Sequence, residues 1–254
     1  MTVRRIWPVL LAALILLLSA CAPAERPIAL VEASMDSPMG PRKIMNFNGC
    51  RYAFLENGAV YDLEGRMGKT LGVLTGDILA DPEGCGGKDL ASTFALGGTV
   101  RVLEGRDPGF RVAVELEGRA YICENVARLD GSDVDLGAYL AAAELGRTAA
   151  SLEIRDHMGR EVLKTAGPDR ILEILAEGIP AKLTDEDYAA VGRAQSEGGS
   201  FLLALKLTDG TEFRFYLIPE LSLALVGDGR YTVTLPQAVQ EIFAALPRII
   251  PPQY

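Results

Sequence analysis

One histidine and four cysteines are the side chains in this sequence best suited to nucleophilic or metal chemistry, and their spacing limits what they can do. A Ser-His-Asp site would have to use His157, which lies between Asp156 and Met158-Gly159 in what reads as a turn joining two strands. No G-x-S-x-G elbow accompanies it, so His157 reads as a surface turn residue. A cysteine nucleophile needs a base within reach, and His157 falls in the other half of the chain from Cys50, Cys85 and Cys123. Zinc requires closely spaced thiolates with histidines; these cysteines are far apart, and no metal or cofactor is expected. Gly84-Cys85-Gly86-Gly87-Lys88 is rich in glycine like a phosphate loop but lacks the G-x-x-x-x-G-K-S/T spacing, and it reads as an ordinary loop. Asp130, Ser132, Asp133 and Asp135 offer oxygen ligands for calcium without the EF-hand pattern or its bidentate Glu. Capping of a following helix accounts for them. Tyr52, Phe54 and Tyr61 could line a ligand groove, although aromatics in strands ordinarily pack across strands. Carboxylate pairs for glycoside chemistry stay open, because their separation in space decides the matter.

The N-terminal stretch carries a clearer signal. Arg4 and Arg5 precede an almost wholly Leu, Ala, Ile and Val run from Val9 to Ala20. That run is too short for a bilayer core, which needs roughly 20 residues, and fits the apolar region of a secretory signal, about 7–15 residues. It ends in Leu18-Ser19-Ala20-Cys21. In spacing and flanks this resembles the lipobox of bacterial lipoproteins. The resemblance covers residues 1–22 only. It implies a diacylglyceryl group on the Cys21 thiol, cleavage before Cys21, and anchoring on the extracytoplasmic face of the cell membrane. In a diderm, the absence of Asp after Cys21 implies the outer membrane by the same resemblance.

With Cys21 given to lipid, an odd number of thiols remains. Outside the cytoplasm one disulfide and one free thiol are expected. Cys85, in a Gly-rich loop, and Cys50, just after Asn48-Gly49, are the expected pair, with Cys123 buried in a strand. The pair Cys50–Cys123 stays open as the competitor.

The chain has a net charge of −9, and the signal carries Arg4 and Arg5 and no acid, so the remainder is more acidic still. An acidic protein is repelled by phosphate polymers, which disfavours nucleic acid, and none is expected as a partner. Hydrophobic residues make up 49% of the chain, enough to specify folded domains rather than disorder.

In chain order, residues 1–20 read as the signal peptide and 21–41, punctuated by Pro23, Pro27, Pro38 and Pro41, as a flexible lipid-anchored tether. Residues 42–127 read as a small all-β barrel or sandwich. Short alternating runs such as Val112-Val114-Leu116 are separated there by turn signals. Asn57-Gly58, between Tyr52-Phe54 and Ala59-Tyr61, is the strongest hairpin signal, and Asp81–Asp89 reads as an irregular loop. Residues 128–150 form a connector with a short helix. Residues 151–250 read as an antiparallel sheet with two or three helices on one face, including helices begun by Pro168 and by the Thr184–Asp187 capping box. The fold class is α+β. The functional expectation is a cell-envelope lipoprotein with a non-enzymatic binding or regulatory role, held to the membrane through Cys21 and open to an envelope protein partner. The alternative is an envelope hydrolase using carboxylates in a cleft between the two modules.

Overall fold

The computed structural model describes residues 26–35, 41–132, 136–226 and 231–251. The first half runs through β1 (Ala29–Glu32), β2 (Ile44–Phe47), β3 (Cys50–Phe54), β4 (Val60–Asp62), β5 (Met67–Val73), β6 (Gly76–Asp77), a one-turn helix α1 (Pro82–Cys85), β7 (Ala91–Ser92), β8 (Thr99–Leu103), β9 (Arg111–Leu116) and β10 (Arg119–Arg128). The second half has α2 (Leu136–Ala143), α3 (Leu145–Thr148), β11 (Ala149–Asp156), β12 (Val162–Ala166), α4 (Asp169–Ala176), β13 (Ile179–Pro180), α5 (Asp185–Ser196), β14 (Phe201–Leu207), β15 (Glu212–Ile218), β16 (Leu223–Val226), β17 (Tyr231–Thr234) and α6 (Val239–Phe243). Strands dominate and helices are a minority, an α+β composition.

Among the described residues the strands form three sheets: a ribbon β1-β4, a sheet ordered β5-β8-β9-β10-β3-β2-β7-β6, and a sheet ordered β12-β11-β14-β15-β16-β17-β13. The turn chemistry explains much of this order. Glu117 and Gly118 (φ 51° and 76°) make the tight β9–β10 turn, with Leu116 opposite Arg119. Asn48 and Gly49 (φ 51° and 70°) do the same for β2 and β3, with Phe47 opposite Cys50. Both have the positive φ at two central residues that matches strand twist. Asn57-Gly58 makes no hairpin. β3 pairs with β10 and β2, and β4 pairs with β1. Here the Asn57 side chain accepts from Lys43 N at 2.9 Å, and a 3-10 turn over Leu55–Asn57 sends the chain away from β3.

The expected tether is shorter than residues 21–41. Ala29–Glu32 is a strand, and Ile28 is buried, its amide donating to the Asp209 carbonyl at 2.6 Å. Ile28-Ala29-Leu30-Val31 is a short apolar run between prolines, and pairing with β4 satisfies its backbone. Asp81–Asp89 also contains structure: Asp81 accepts from Gly84 N and caps the single turn of α1, with Pro82 at its start.

Strand alternation sorts the C-terminal sheet into two faces. Phe215, Leu217, Ala224 and Val226 share a core with Ile171, Ile174 and Leu175 of α4, and with Val239 and Phe243 of α6. Burying each such side chain contributes about 1.5–3 kcal/mol, so truncating Leu175, which is fully buried, removes about 2–5 kcal/mol. The intervening residues Ile218, Leu223 and Leu225 pack instead against Val191 and Ala194 of α5. The helices therefore lie on both faces, not one, because β15 and β16 are apolar on both sides. The capping box at Thr184 and Asp187 forms in full, and α5 runs past Val191 to Ser196, where Gly198 (φ 72°) ends it. The 128–150 stretch packs as part of the C-terminal core: Leu136, Tyr139, Ala143 and Leu145 join it, and so does Phe110 from the first half.

Candidate functional site

A buried set of charged groups lies at the joint between the two large sheets. β8 ends at Leu103, and a turn through Gly105 (φ 81°) carries Arg106 to the β14–β15 turn. Arg106 Nε donates to Asp209 Oδ2 at 2.9 Å and Nη2 donates to the same oxygen. The other Asp209 oxygen accepts from the Thr211 amide at 2.9 Å and hydroxyl at 2.6 Å. That hydroxyl accepts in turn from Arg111 Nη1 at 2.6 Å, and Arg111 grips Glu124 through Nε and Nη2 at 2.9 and 2.6 Å. The Arg111 guanidinium also lies 4.7 Å over the Phe110 ring, which packs edge-on against Tyr139 and Phe213. The result is a continuous chain: Arg106, Asp209, Thr211, Arg111, Glu124.

Burial alone would push the Asp209 carboxyl up, yet the Thr211 hydroxyl and amide and the Arg106 guanidinium hold it below the usual range. Asp209 and Glu124 are each ion-paired with a guanidinium, and Asp209 is held in its charged form. A glycosidase acid needs the opposite, a carboxyl raised toward neutrality.

A second cluster surrounds His157. The β11–β14 register sets Asp156 opposite Phe201, which brings the β11–β12 turn beside Ser200. His157 Nδ1 is 3.1 Å from Ser200 Oγ, and the imidazole lies 5.1 Å from the Tyr216 ring. His157 is thus half-buried and tied to a serine, where the sequence suggests a plain exposed turn. The pair is not built as a nucleophile. Ser200 is 1% exposed, and both Asp156 oxygens accept backbone amides, from Met158 at 3.2 Å and Glu161 at 2.6 Å. Burial pushes the His157 pKa down against the pull of Asp156, which favours the neutral ring. Ser200 belongs to a Gly-rich loop in the sequence, and the pairing of β11 with β14, strands far apart in the chain, is what brings it to His157.

The remaining candidates fall into structural roles. Tyr52 and Phe54 are buried; Tyr52 Oη donates to the Pro108 carbonyl at 2.7 Å, and Phe54 stacks edge-on with Phe94 and Tyr121. Tyr61 is buried, and burial with nearby Glu56 pushes its phenol up to about 12. Gly86, in the glycine-rich loop, offers its carbonyl to Asn46 and Arg51 at 2.9 and 3.1 Å. Asp130 accepts from the Ser132 amide and hydroxyl, and those bonds bring its carboxyl down to about 2. Asp133 and Asp135 lie outside the described residues, as does Cys21. Among the described residues no group of His, Cys, Asp and Glu could hold a metal ion, and no helix is long and apolar enough to cross a membrane.

Cys50, Cys85 and Cys123 are free thiols, so the bond expected between Cys50 and Cys85 is not made in this structure. Burial raises the Cys50 thiol, opposed by Arg128, and raises fully buried Cys123 well above the ordinary value.

Two small grooves lie among the described residues. A groove of about 150 Å³ lies between Phe201, Phe243 and Leu246, beside the Arg248–Glu220 ion pair, and another of about 240 Å³ lies between Lys182, Asp187 and Leu221. Small-molecule sites occupy roughly 300–1,000 Å³. Exposed apolar side chains are more notable: Val73 and Leu96, each about two-fifths exposed, flank the paired Leu74 and Gly97 at the edge of the eight-stranded sheet. Comparison with known proteins finds no matching family model, no matching curated protein and no matching solved structure.

Proposed function

We propose that this chain is a cell-envelope lipoprotein, anchored by lipid on Cys21 at the extracytoplasmic membrane surface, with a non-enzymatic binding or regulatory role there. Its first half is read as a partly closed barrel-like module and its second as an antiparallel-sheet module. The anchor rests on Arg4-Arg5, the apolar run and Leu18-Ser19-Ala20-Cys21. The non-enzymatic reading rests on the arginine-paired acids at the joint, where a carboxylate hydrolase would need a free, unequal pair. Binding to an envelope protein through the edge bearing Val73 and Leu96 suits these exposed apolar side chains.

Intact-mass measurement of membrane-extracted protein tests the anchor: an acylated chain beginning at Cys21 is expected, and Cys21→Ser leaves an unprocessed precursor. Affinity capture after cross-linking in membranes tests the binding role, with Val73→Glu/Leu96→Glu as the comparison. A partner recovered with the wild type and lost with that variant is expected. Equal recovery with both would show that this edge is not the binding surface.

A further inference from the structure

Chain length and the position of the first held residues limit how a body anchored at Cys21 can meet a membrane. If Cys21 carries the lipid, the chain between the lipid and the first held residues is far shorter than the proline-studded segment suggests. Ile28 is 6% exposed and its amide is held by the Asp209 carbonyl at 2.6 Å, while the Arg26 carbonyl accepts from Arg66 Nη2 at 2.5 Å. Gly210 is packed close against this segment: a Cβ there would meet the Ile28 carbonyl oxygen at 3.1 Å and Pro27 Cβ at 3.2 Å. Only Cys21 to Arg26 remains between the lipid and the fixed chain. At 3.3–3.6 Å per residue that spans at most about 18 Å. A folded body of this length has a radius of about 20 Å. A span no longer than the body's radius cannot let it present any side at will.

Beside this segment, three apolar side chains stand exposed among acids such as Glu32 and Asp62. All four residues of β1 are exposed, and Leu30, Val31 and Met35 are 56%, 64% and 96% exposed. Leu30 and Val31 belong to the β1-β4 ribbon, which follows directly from the anchored segment, and Met35 lies just beyond β1. We infer that this ribbon is a bilayer-contact surface: with Cys21 acylated, Leu30 and Val31 rest in the headgroup and upper acyl region of the membrane. This rests on the anchor proposed above and adds to it a fixed orientation. The Asp209–Gly210 end of the C-terminal sheet then faces the membrane. The His157–Met158 turn faces away, because the β11–β14 register places Asp156 opposite Phe201 and Ala149 opposite Leu207, at opposite strand ends.

The test uses tryptophan fluorescence. The sole tryptophan, Trp7, lies in the signal, so the chain from Cys21 onward has none. Val31→Trp and Met158→Trp replace exposed side chains, and each is prepared as the full acylated protein in phosphatidylcholine vesicles with nitroxide groups high on the acyl chains. Val31→Trp is expected to lose about half its emission relative to unlabelled vesicles, as for a side chain about 5–10 Å into the boundary, while Met158→Trp keeps its emission. Equal emission from both, with Cys21 shown by mass to be acylated, overturns the orientation and leaves the anchor standing. A mass showing no acyl group on Cys21 overturns both.

Discussion

Arg106 and Asp209 lock the two large sheets together with a guanidinium Nε 2.9 Å from Oδ2 and side chains only 4% and 5% exposed. Removing one member of so buried a pair leaves the other charged and desolvated, which costs about 3–5 kcal/mol, whereas replacing both together is often close to neutral. Arg106→Met is therefore expected to lose stability on that scale in urea unfolding. Arg106→Met/Asp209→Asn should recover much of it, since an asparagine carbonyl at this position can still accept from the Thr211 amide. A double variant whose loss equals the sum of the single losses would show that the two side chains are not coupled.

Acid should loosen the same region. Glu212 sits half-buried between Lys206, Arg155 and Arg214. Burial opposes its charge, but the Lys206 bond and the two guanidinium groups bring its carboxyl down to about 2. Asp209 is also depressed. A folded-state pKa below the unfolded one contributes stability that is complete above the unfolded value of about 4.3 and is lost as pH falls through the folded value. The urea midpoint of the wild type should thus hold steady down to about pH 5 and fall below about pH 4. Glu212→Gln should begin lower and fall less steeply. Parallel pH profiles for the two proteins would remove Glu212 from the acid response.

How far the sequence reveals this fold depends on how local the determining interaction is. Glu117-Gly118, Asp209-Gly210 and the Thr184–Asp187 cap are legible because each is decided within four residues. Asn57-Gly58 misleads because its positive φ values serve a turn whose flanking strands pair elsewhere, β4 with β1 across about thirty residues of chain. β1 itself is hidden among prolines, its partner not predictable from its own four residues. Ser200 beside His157, and the Arg106–Asp209 pair across 103 residues, are contacts of the assembled sheets and leave no local trace. The start of α5 is written in its cap, but nothing local says which side of the sheet the helix covers.

The second half does not carry its core alone. From sequence a protease-resistant fragment from about Ser151 to Leu246 is expected. Phe110, Leu136, Tyr139, Ala143 and Leu145 belong to the same core, however, and Asp209 takes its guanidinium from Arg106. Limited trypsin digestion should therefore yield resistant species that retain the Phe110–Leu145 region, by covalent or non-covalent association. Mass analysis of the digest under native conditions reads this directly. Isolation of a stable, monomeric 151–246 fragment with sharp urea unfolding would count against the shared core.

Two glycines in one neighbourhood should respond oppositely to alanine. At Gly198 φ is 72°, and a Cβ would stand 2.7–2.9 Å from the backbone of Ile249. Gly198→Ala must displace the C-terminal segment and adopt a strained conformation, at a cost of about 1–3 kcal/mol. At Gly192, inside α5, a Cβ would meet nothing within 4 Å, and Gly192→Ala should gain about 0.5–1 kcal/mol by restricting the unfolded chain. Thermal unfolding of both variants checks the pair, and a stabilised Gly198→Ala would show that the C-terminal segment does not pack there.

The thiols provide a final test, and the strand register narrows it. Cys123 is opposite Phe54 and Cys50 is opposite Arg128 on the same two paired strands. Four residues of rise at about 3.3 Å therefore separate Cys50 from Cys123, about 13 Å, which no disulfide spans. Cys85 is placed differently. Its loop is tied to the β2–β3 hairpin by Gly86 accepting from Asn46 and Arg51, and by Asp89 accepting from the Gly49 amide at 2.8 Å. Oxidation is thus expected to join Cys50 to Cys85 and to leave Cys123 reduced, because the fully buried Cys123 thiol is held protonated and out of contact with solvent. Such a bond would stabilise the fold by about 3–4 kcal/mol in the chain-entropy view. Native alkylation without reductant should then label no cysteine among these three until denaturant exposes Cys123. Peptide mapping that finds Cys123 in a crosslink, or all three thiols alkylated after oxidation, would refute the assignment.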